Sequence, residues 1–162
     1  MHEILILQLL LLVSVANGTP VIAKLVLGDK FAARVDGGAL FADGSPWFGP
    51  SKTIRGFLLA VLAAIGAASL LGLGWEVGAV VGTVAMAGDL LSSFMKRRLG
   101  QAPSSQAIVL DQIPESLFPL IAARLLLPIS ALDIAVATTT FFAGELLLSR
   151  LLYKWHVRDR PY

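Results

Sequence analysis

"AGDLLSSFMKRRLG", residues 87–100, carries an aspartate inside an apolar run, then two serines, then three consecutive cations. It ends an apolar run that begins at Val77 and reaches Met95. That run is long enough to cross a bilayer, which takes about 20 residues within a range of about 17–25. An ionisable residue at the centre of a span costs about 2.5–3.5 kcal/mol on the insertion scale, so Asp89 is a functional candidate. Lys96 follows Asp89 by seven residues, about 10 Å of helix rise. Asp89 therefore belongs below a membrane surface but short of the midplane.

The rest of the chain has the same character. It has 162 residues, of which 56% are hydrophobic and 15% charged. Soluble domains carry about 25% charged residues. No room is left for a sizeable soluble domain, and residues 1–162 read as one integral membrane domain. The absence of cysteine excludes disulfides, thiolate metal sites and a cysteine nucleophile. A net charge of +2 is too small to argue for nucleic acid.

Apolar runs cover residues 4–16, 56–74, 77–95, 113–128 and 131–153, which predicts an all-α fold of five transmembrane helices. The first and fourth are short. The first also resembles a secretory signal, with "SVANG" as a cleavage site, but "MHE" lacks the positive charge such a signal needs. It reads as a retained helix. Twelve of the thirteen Lys and Arg residues fall on one side of this arrangement, and Arg124 is the exception. They are Lys24, Lys30, Arg34, Lys52, Arg55, Lys96, Arg97, Arg98, Arg150, Lys154, Arg158 and Arg160. The positive-inside rule then places the N-terminus outside and the C-terminus in the cytoplasm. Both long loops, 17–55 and 96–112, become cytoplasmic and form a polar site. The patch "PVIAKLVLG" in the first loop is expected to lie against the membrane or fold into the bundle.

Asp89, Ser92, Ser93 and Lys96 share one helix face by their i, i+3, i+4, i+7 spacing. A carboxylate beneath hydroxyls and capped by cations suits a polyphosphate with a divalent cation. Taken alone, the Lys96–Arg98 cluster is a common topology anchor, and the serines can bond back to helix carbonyls. Across the second loop, "LDQIPES" (110–116) opens the fourth run. Asp111 there can cap a helix, with Pro114 near its first turn and Glu115 one turn on. The loop can bring Asp111 to Asp89, a pair suited to metal ions. In the first loop, "GSPWFGPSKT" fails as a phosphate loop because Pro50 and Ser51 stand where Lys and Ser/Thr are required. Its glycines still permit close backbone approach, and Lys52, Thr53 and Arg55 supply donors.

Together, "DGG…DG…FGPSKTIRG" before a span, "GDLLSSFMKRRLG", and "LDQIPE" opening another resemble the CDP-archaeol synthase family, membrane cytidylyltransferases related to CDP-diacylglycerol synthases. The resemblance covers about residues 17–120. It implies a five-span enzyme in which a lipid phosphate attacks the α-phosphate of CTP, with Mg²⁺ as cofactor and pyrophosphate leaving. It implies nucleotide and phosphate binding by Ser51, Lys52, Thr53, Arg55, Ser93, Lys96 and Arg97. Asp89 and Asp111 match the metal-site positions. Asp89, Asp111, Lys96 and Arg97 would then carry catalysis. This chain departs from the pattern at Pro114, where the family often has Asp; Glu115 is a candidate substitute. Its start is also short, consistent with a shortened first span.

Two other classes compete. A transporter or proton relay would use Glu115, Arg124 and Glu145, but the second run carries no charge and the acids cluster toward one side. A non-catalytic scaffold explains the small residues of "AAIGAASLLGLG", which allow close helix packing, but not three converging polar motifs. The tail of the lipid acceptor is not legible, and Arg124 is expected to pair with one of the intramembrane acids.

Overall fold

The computed structural model of the chain describes residues 2–102 and 107–154, without the side chains of 108–109 and 148–154. Arg158, Arg160 and the side chains of Arg150 and Lys154, counted in the charge reading, lie outside the described residues. Five helices follow one another: α1 (Glu3–Leu27), α2 (Ile54–Leu70), α3 (Trp75–Arg98), α4 (Ile108–Ala123) and α5 (Ala131–Lys154). Among the described residues the only β pairing is two isolated bridges, Arg34 with Thr53 and Leu40 with Pro46. The fold is all-helical.

Helices α1 and α3 are long and apolar enough to cross a membrane, and α2 is a shorter apolar helix. Their outward faces are as greasy as the core: Leu70 is 90% exposed, Leu25 76% and Leu62 62%. A soluble helix would turn a polar face outward.

Two boundaries differ from the expectation. Helix α1 does not stop at Ala16 but runs on through Gly18 and Pro20 to Leu27. Pro20 lacks an N–H, so it forfeits the bond to the Ala16 carbonyl but keeps a helical φ. Thr19 Oγ1 donates to the Val15 carbonyl at 2.6 Å, within the same turn. The patch "PVIAKLVLG" is thus the end of a helix, and the first loop shortens to residues 28–53. Helix α4 starts at Ile108 rather than 113 and stops at Ala123 rather than 128. Pro114 therefore sits inside it, not at its first turn.

Small residues set the helix spacing. Ala60, Ala64 and Ala68 form a fully buried stripe on α2. Gly78 and Gly82 of α3 press against it. A Cβ on Gly78 would lie 2.4 Å from the Ala64 carbonyl oxygen, and one on Gly82 would lie 2.9 Å from the Ala64 Cβ. Farther along α3, a Cβ on Gly88 would lie 2.2 Å from the Pro114 carbonyl oxygen. That contact brings α3 backbone-close to α4 beside Asp89. Pro119 cannot donate to the Glu115 carbonyl one turn back. Asn17 Nδ2 of α1 donates to it instead, at 3.3 Å.

The helices alternate in direction. The start of α1 meets the end of α2, where Gln8 Nε2 donates to the Leu71 carbonyl at 2.9 Å, and also meets the start of α5 through His2 and Asp133. The end of α1 meets the start of α2, and the end of α3 meets the start of α4. One end of the bundle therefore gathers Lys24, Lys30, Arg34, Lys52, Arg55 and Lys96–Arg98. The other holds His2, Glu3, Glu76, Arg124 and Asp133.

Candidate functional site

At the cation-rich end the first loop is held in one shape by its acids. Asp36 accepts hydrogen bonds from the amides of Gly38 (2.9 Å), Phe48 (3.1 Å) and Gly49 (3.0 Å). Gly49 has φ +95°, a conformation that side-chain-bearing residues rarely adopt and that turns its amide toward Asp36. Burial alone would raise the Asp36 carboxyl. The three amides, with nearby Arg34, outweigh it and hold the group below the ordinary carboxylate range.

Arg98 fixes the same loop to α3. Its guanidinium donates to the Pro46 carbonyl at 2.7 Å, lies 3.1 Å from Asp43 Oδ2, and stacks 4.5 Å from the Phe41 ring centroid and 4.9 Å from that of Phe94. The Val35 amide bonds the Lys52 carbonyl and the Ile54 amide bonds the Ala33 carbonyl, each at 2.9 Å. These contacts bring the strand-like 51–53 segment to the rim of the bundle.

There a cavity of about 260 Å³ opens. Ser51, Lys52, Thr53 and Arg55 line one side of it. Asp89 and Met86 of α3 line another, and Lys24 and Asp29, from the end of α1 and just beyond it, a third. Lys52 Nζ bonds both Asp89 oxygens, at 2.5 and 2.6 Å. Both side chains are 21% exposed. The pair is therefore partly wet, and an anionic ligand can take the lysine without stranding a charge in a dry interior. Thr53 Oγ1 accepts from the Gly56 amide at 3.1 Å and caps α2. Arg55 donates to the carbonyls of Lys30 and Gly28 and so ties down the end of α1. Three of the four expected binding residues in this segment, Lys52, Thr53 and Arg55, thus already have protein partners.

The remaining expected residues lie beside the cavity rather than on its wall. Lys96 Nζ lies 2.7 Å from Asp111 Oδ1. The other Asp111 oxygen accepts from the Ala107 amide at 2.9 Å, a cap for α4. Buried Arg97 donates to the Ala102 carbonyl at 2.8 Å. Ser92 bonds back to the Gly88 carbonyl at 2.9 Å, and Ser93 is buried. The carboxyl brought within hydrogen-bonding reach of Asp89 is that of Glu115, with Glu145 of α5 nearby. Arg124 is an exposed residue at the C-cap of α4, nine residues and about 13 Å of rise beyond Glu115. It is not the partner of that acid.

The chain is similar in sequence and fold to known proteins. The sequence model of the family described as CarS-like CDP-archaeol synthase matches residues 74–162. The CDP-archaeol synthase of Thermofilum pendens is 33% identical over 154 residues, covering 91% of this chain and 76% of its own. That of Pyrococcus furiosus is 36% identical over 143 residues, covering 82% and 75%. This chain belongs to the CDP-archaeol synthase family. A solved structure of an intramembrane enzyme for archaeal membrane lipid biosynthesis superposes with a TM-score of 0.71 at 30% identity, covering 87% of this chain and 90% of that one. The Methanopyrus kandleri relative, 34% identical over 128 residues, is longer: the match covers 75% of this chain but 59% of that protein.

If Mg²⁺ serves this site, Asp89 and the adjacent Glu115 are the carboxylates that would hold it. Among the described residues no group of three or more His, Asp or Glu side chains converges as a metal cage. Asp89 lines the cavity and is bonded there by Lys52, and Glu115 lies behind it, next to Asp89 but off the cavity wall. Mg²⁺ is commonly held by one or two carboxylates plus substrate phosphates and water, not by an all-protein shell.

Sequence reasoning did not single out Lys24, Asp29, Asp36 or Gly88, and it read Arg98 only as part of the basic cluster, not as the anchor of the first loop. For Lys24 a signal existed, since it is a lone charge inside the apolar stretch "PVIAKLVLG".

Proposed function

We propose that this chain is a membrane-embedded CTP-dependent cytidylyltransferase whose acceptor is a lipid ending in a phosphomonoester, of the ether-linked isoprenoid type. A phosphate oxygen of the lipid attacks the α-phosphorus of CTP. The bond from that phosphorus to the bridging oxygen breaks, and CDP-lipid and pyrophosphate form. The observation that carries this reading is the cavity in which Lys52, Ser51 and Asp89 meet at the cation-rich end.

The chemistry asks little of acid–base groups, because the attacking phosphate is already an anion. What must be overcome is the repulsion between two anions and the charge on the leaving pyrophosphate. Positioning and fixed charge therefore supply most of the catalysis. Lys52, now on Asp89, would turn to the triphosphate, and Ser51 would donate to it. Arg55 and Thr53 would keep the ends of α1 and α2 in place around it. Lys96, oriented by Asp111, and Arg97 add positive potential beside the cavity. Asp89 and Glu115 would hold Mg²⁺, which neutralises phosphate charge when bound.

In this proposal all five helices cross the cell membrane, with the N-terminus outside and the cavity facing the cytoplasm. The charge distribution supports that orientation: eight Lys and Arg residues of segments 24–55 and 96–98 lie at the cavity end, with Arg124 at the other.

The test is turnover by the purified protein in detergent, with labelled CTP and either di-isoprenyl or diacyl glycerol phosphate. The expected result is CDP-lipid and pyrophosphate in equal amounts, faster with the isoprenoid acceptor and abolished by chelating Mg²⁺. Turnover unaffected by chelation, or CTP binding with neither lipid consumed, would refute the proposal.

A further inference from the structure

Three cations line the cavity, and two of them have partners. Arg55 is held by the carbonyls at the end of α1, and Lys52 by Asp89. The side chain of the third, Lys24, makes no hydrogen bond or ion pair among the described residues. It is exposed, on the last turn of α1. Its helix neighbours Val21 (55% exposed), Ile22 (61%), Leu25 (76%) and Val26 (74%) cover the outward flank of that helix with apolar surface. Lys24 therefore stands where an apolar, membrane-facing flank meets a polar cavity.

A free nucleotide has no use for such a border. A lipid phosphate does, because its tails can lie along the flank while its headgroup reaches the polar side. A lysine stem can run along apolar surface and present its ammonium at the boundary. The ammonium is a compact charge with three donors, suited to a terminal phosphate. We infer that Lys24 binds the phosphate of the lipid acceptor and sets it beside the nucleotide held at Lys52. This assignment rests on the cytidylyltransferase reading of the cavity. A lysine serving only to complement the α1 dipole would leave substrate affinities untouched.

The experiment compares wild type, Lys24→Gln and Lys24→Arg in mixed micelles with Mg²⁺. Lys24→Gln is expected to raise the apparent KM for the lipid phosphate about tenfold, as loss of one charge-assisted bond does. The KM for CTP and kcat should stay within about twofold, and Lys24→Arg should keep most of the acceptor affinity. An unchanged acceptor KM, or equal rises for both substrates, overturns the inference.

A second arm needs no turnover. Binding of a fluorescent dialkyl glycerol phosphate and of the uncharged dialkyl glycerol is measured without CTP or Mg²⁺. Wild type should prefer the phosphate form, Lys24→Gln should lose the preference, and soluble glycerol phosphate should compete poorly. Equal competition by glycerol phosphate would mean a site for free phosphate, contrary to the inference. If wild type makes no CDP-lipid while this preference persists, the enzymatic reading fails and the phosphate-lipid contact stands. If wild type turns over but both forms bind alike, the Lys24 assignment alone fails.

Discussion

At one end of the bundle, His2, Ser130 and Asp133 close a ring of hydrogen bonds around a single buried carboxylate; at the other, Ser51, Lys52 and Asp89 stand open to a cavity. The Asp133 oxygens accept from the His2 amide (3.0 Å), the Ser130 amide (2.9 Å) and the Ser130 hydroxyl (2.7 Å), with the His2 ring at 3.0 Å. Ser130 in turn accepts from the Asp133 amide at 3.1 Å, the reciprocal capping of a helix start. Every acceptor there is engaged by protein, which marks a structural tie between α1 and α5. At the cavity end the Lys52–Asp89 pair is partly exposed, and the side chain of Lys24 and the Ser51 hydroxyl line the cavity beside it. Polar groups satisfied by one another hold a fold; polar groups left facing a cavity receive a ligand.

The glycines of α3 offer the largest perturbation of that contrast. Gly78→Ala and Gly88→Ala both force backbone apart, and each should cost about 1–3 kcal/mol of stability, read by denaturant unfolding in detergent. Only Gly88→Ala should also lower the kcat of the folded fraction, because it displaces α4 at Glu115 from Asp89. Equal kcat in the two variants would break the link between that crossing and the site. Arg98→Ala comes next. Losing its stacking and loop contacts should cost about 1 kcal/mol and hasten proteolysis within residues 28–53. Arg98→Lys should recover little of this, since an ammonium cannot reproduce the planar stack. Proteolysis at the wild-type rate would show that the loop is ordered by Asp36 alone.

Much of this molecule was legible in its sequence. The five helices follow from apolar runs, and the alternation from the distribution of Lys and Arg. Lys52, Ser51, Thr53, Arg55 and Asp89 do meet at one cavity. The boundaries were less legible. The first apolar run ends at residue 16, yet α1 continues through Gly18 and Pro20; there the proline costs one bond and packs against Gly56, where a Cβ would lie 3.3 Å from the Pro20 Cβ. Asp111 and Gln112 look like loop residues, but the Asp111 carboxylate caps α4 from within and faces Lys96. The pairing of acids was legible only in part. That Glu115 comes beside Asp89 goes with the close approach of Gly88 to Pro114, which local spacing does not show. The order of the first loop rests on Arg98 reaching residues more than fifty positions away, which no local pattern records.

The most direct measurement sets two carboxyl-to-amide changes side by side, Asp89→Asn and Asp133→Asn, reading Mg²⁺-dependent CDP-lipid formation and the thermal unfolding midpoint of each. Asp89→Asn is predicted to lower turnover at least about a hundredfold while leaving the midpoint near wild type. Asp133→Asn is predicted to lower the midpoint and leave the kcat of the folded protein unchanged. An Asp89→Asn variant that turns over normally, or an Asp133→Asn variant that loses activity at full stability, would contradict the account.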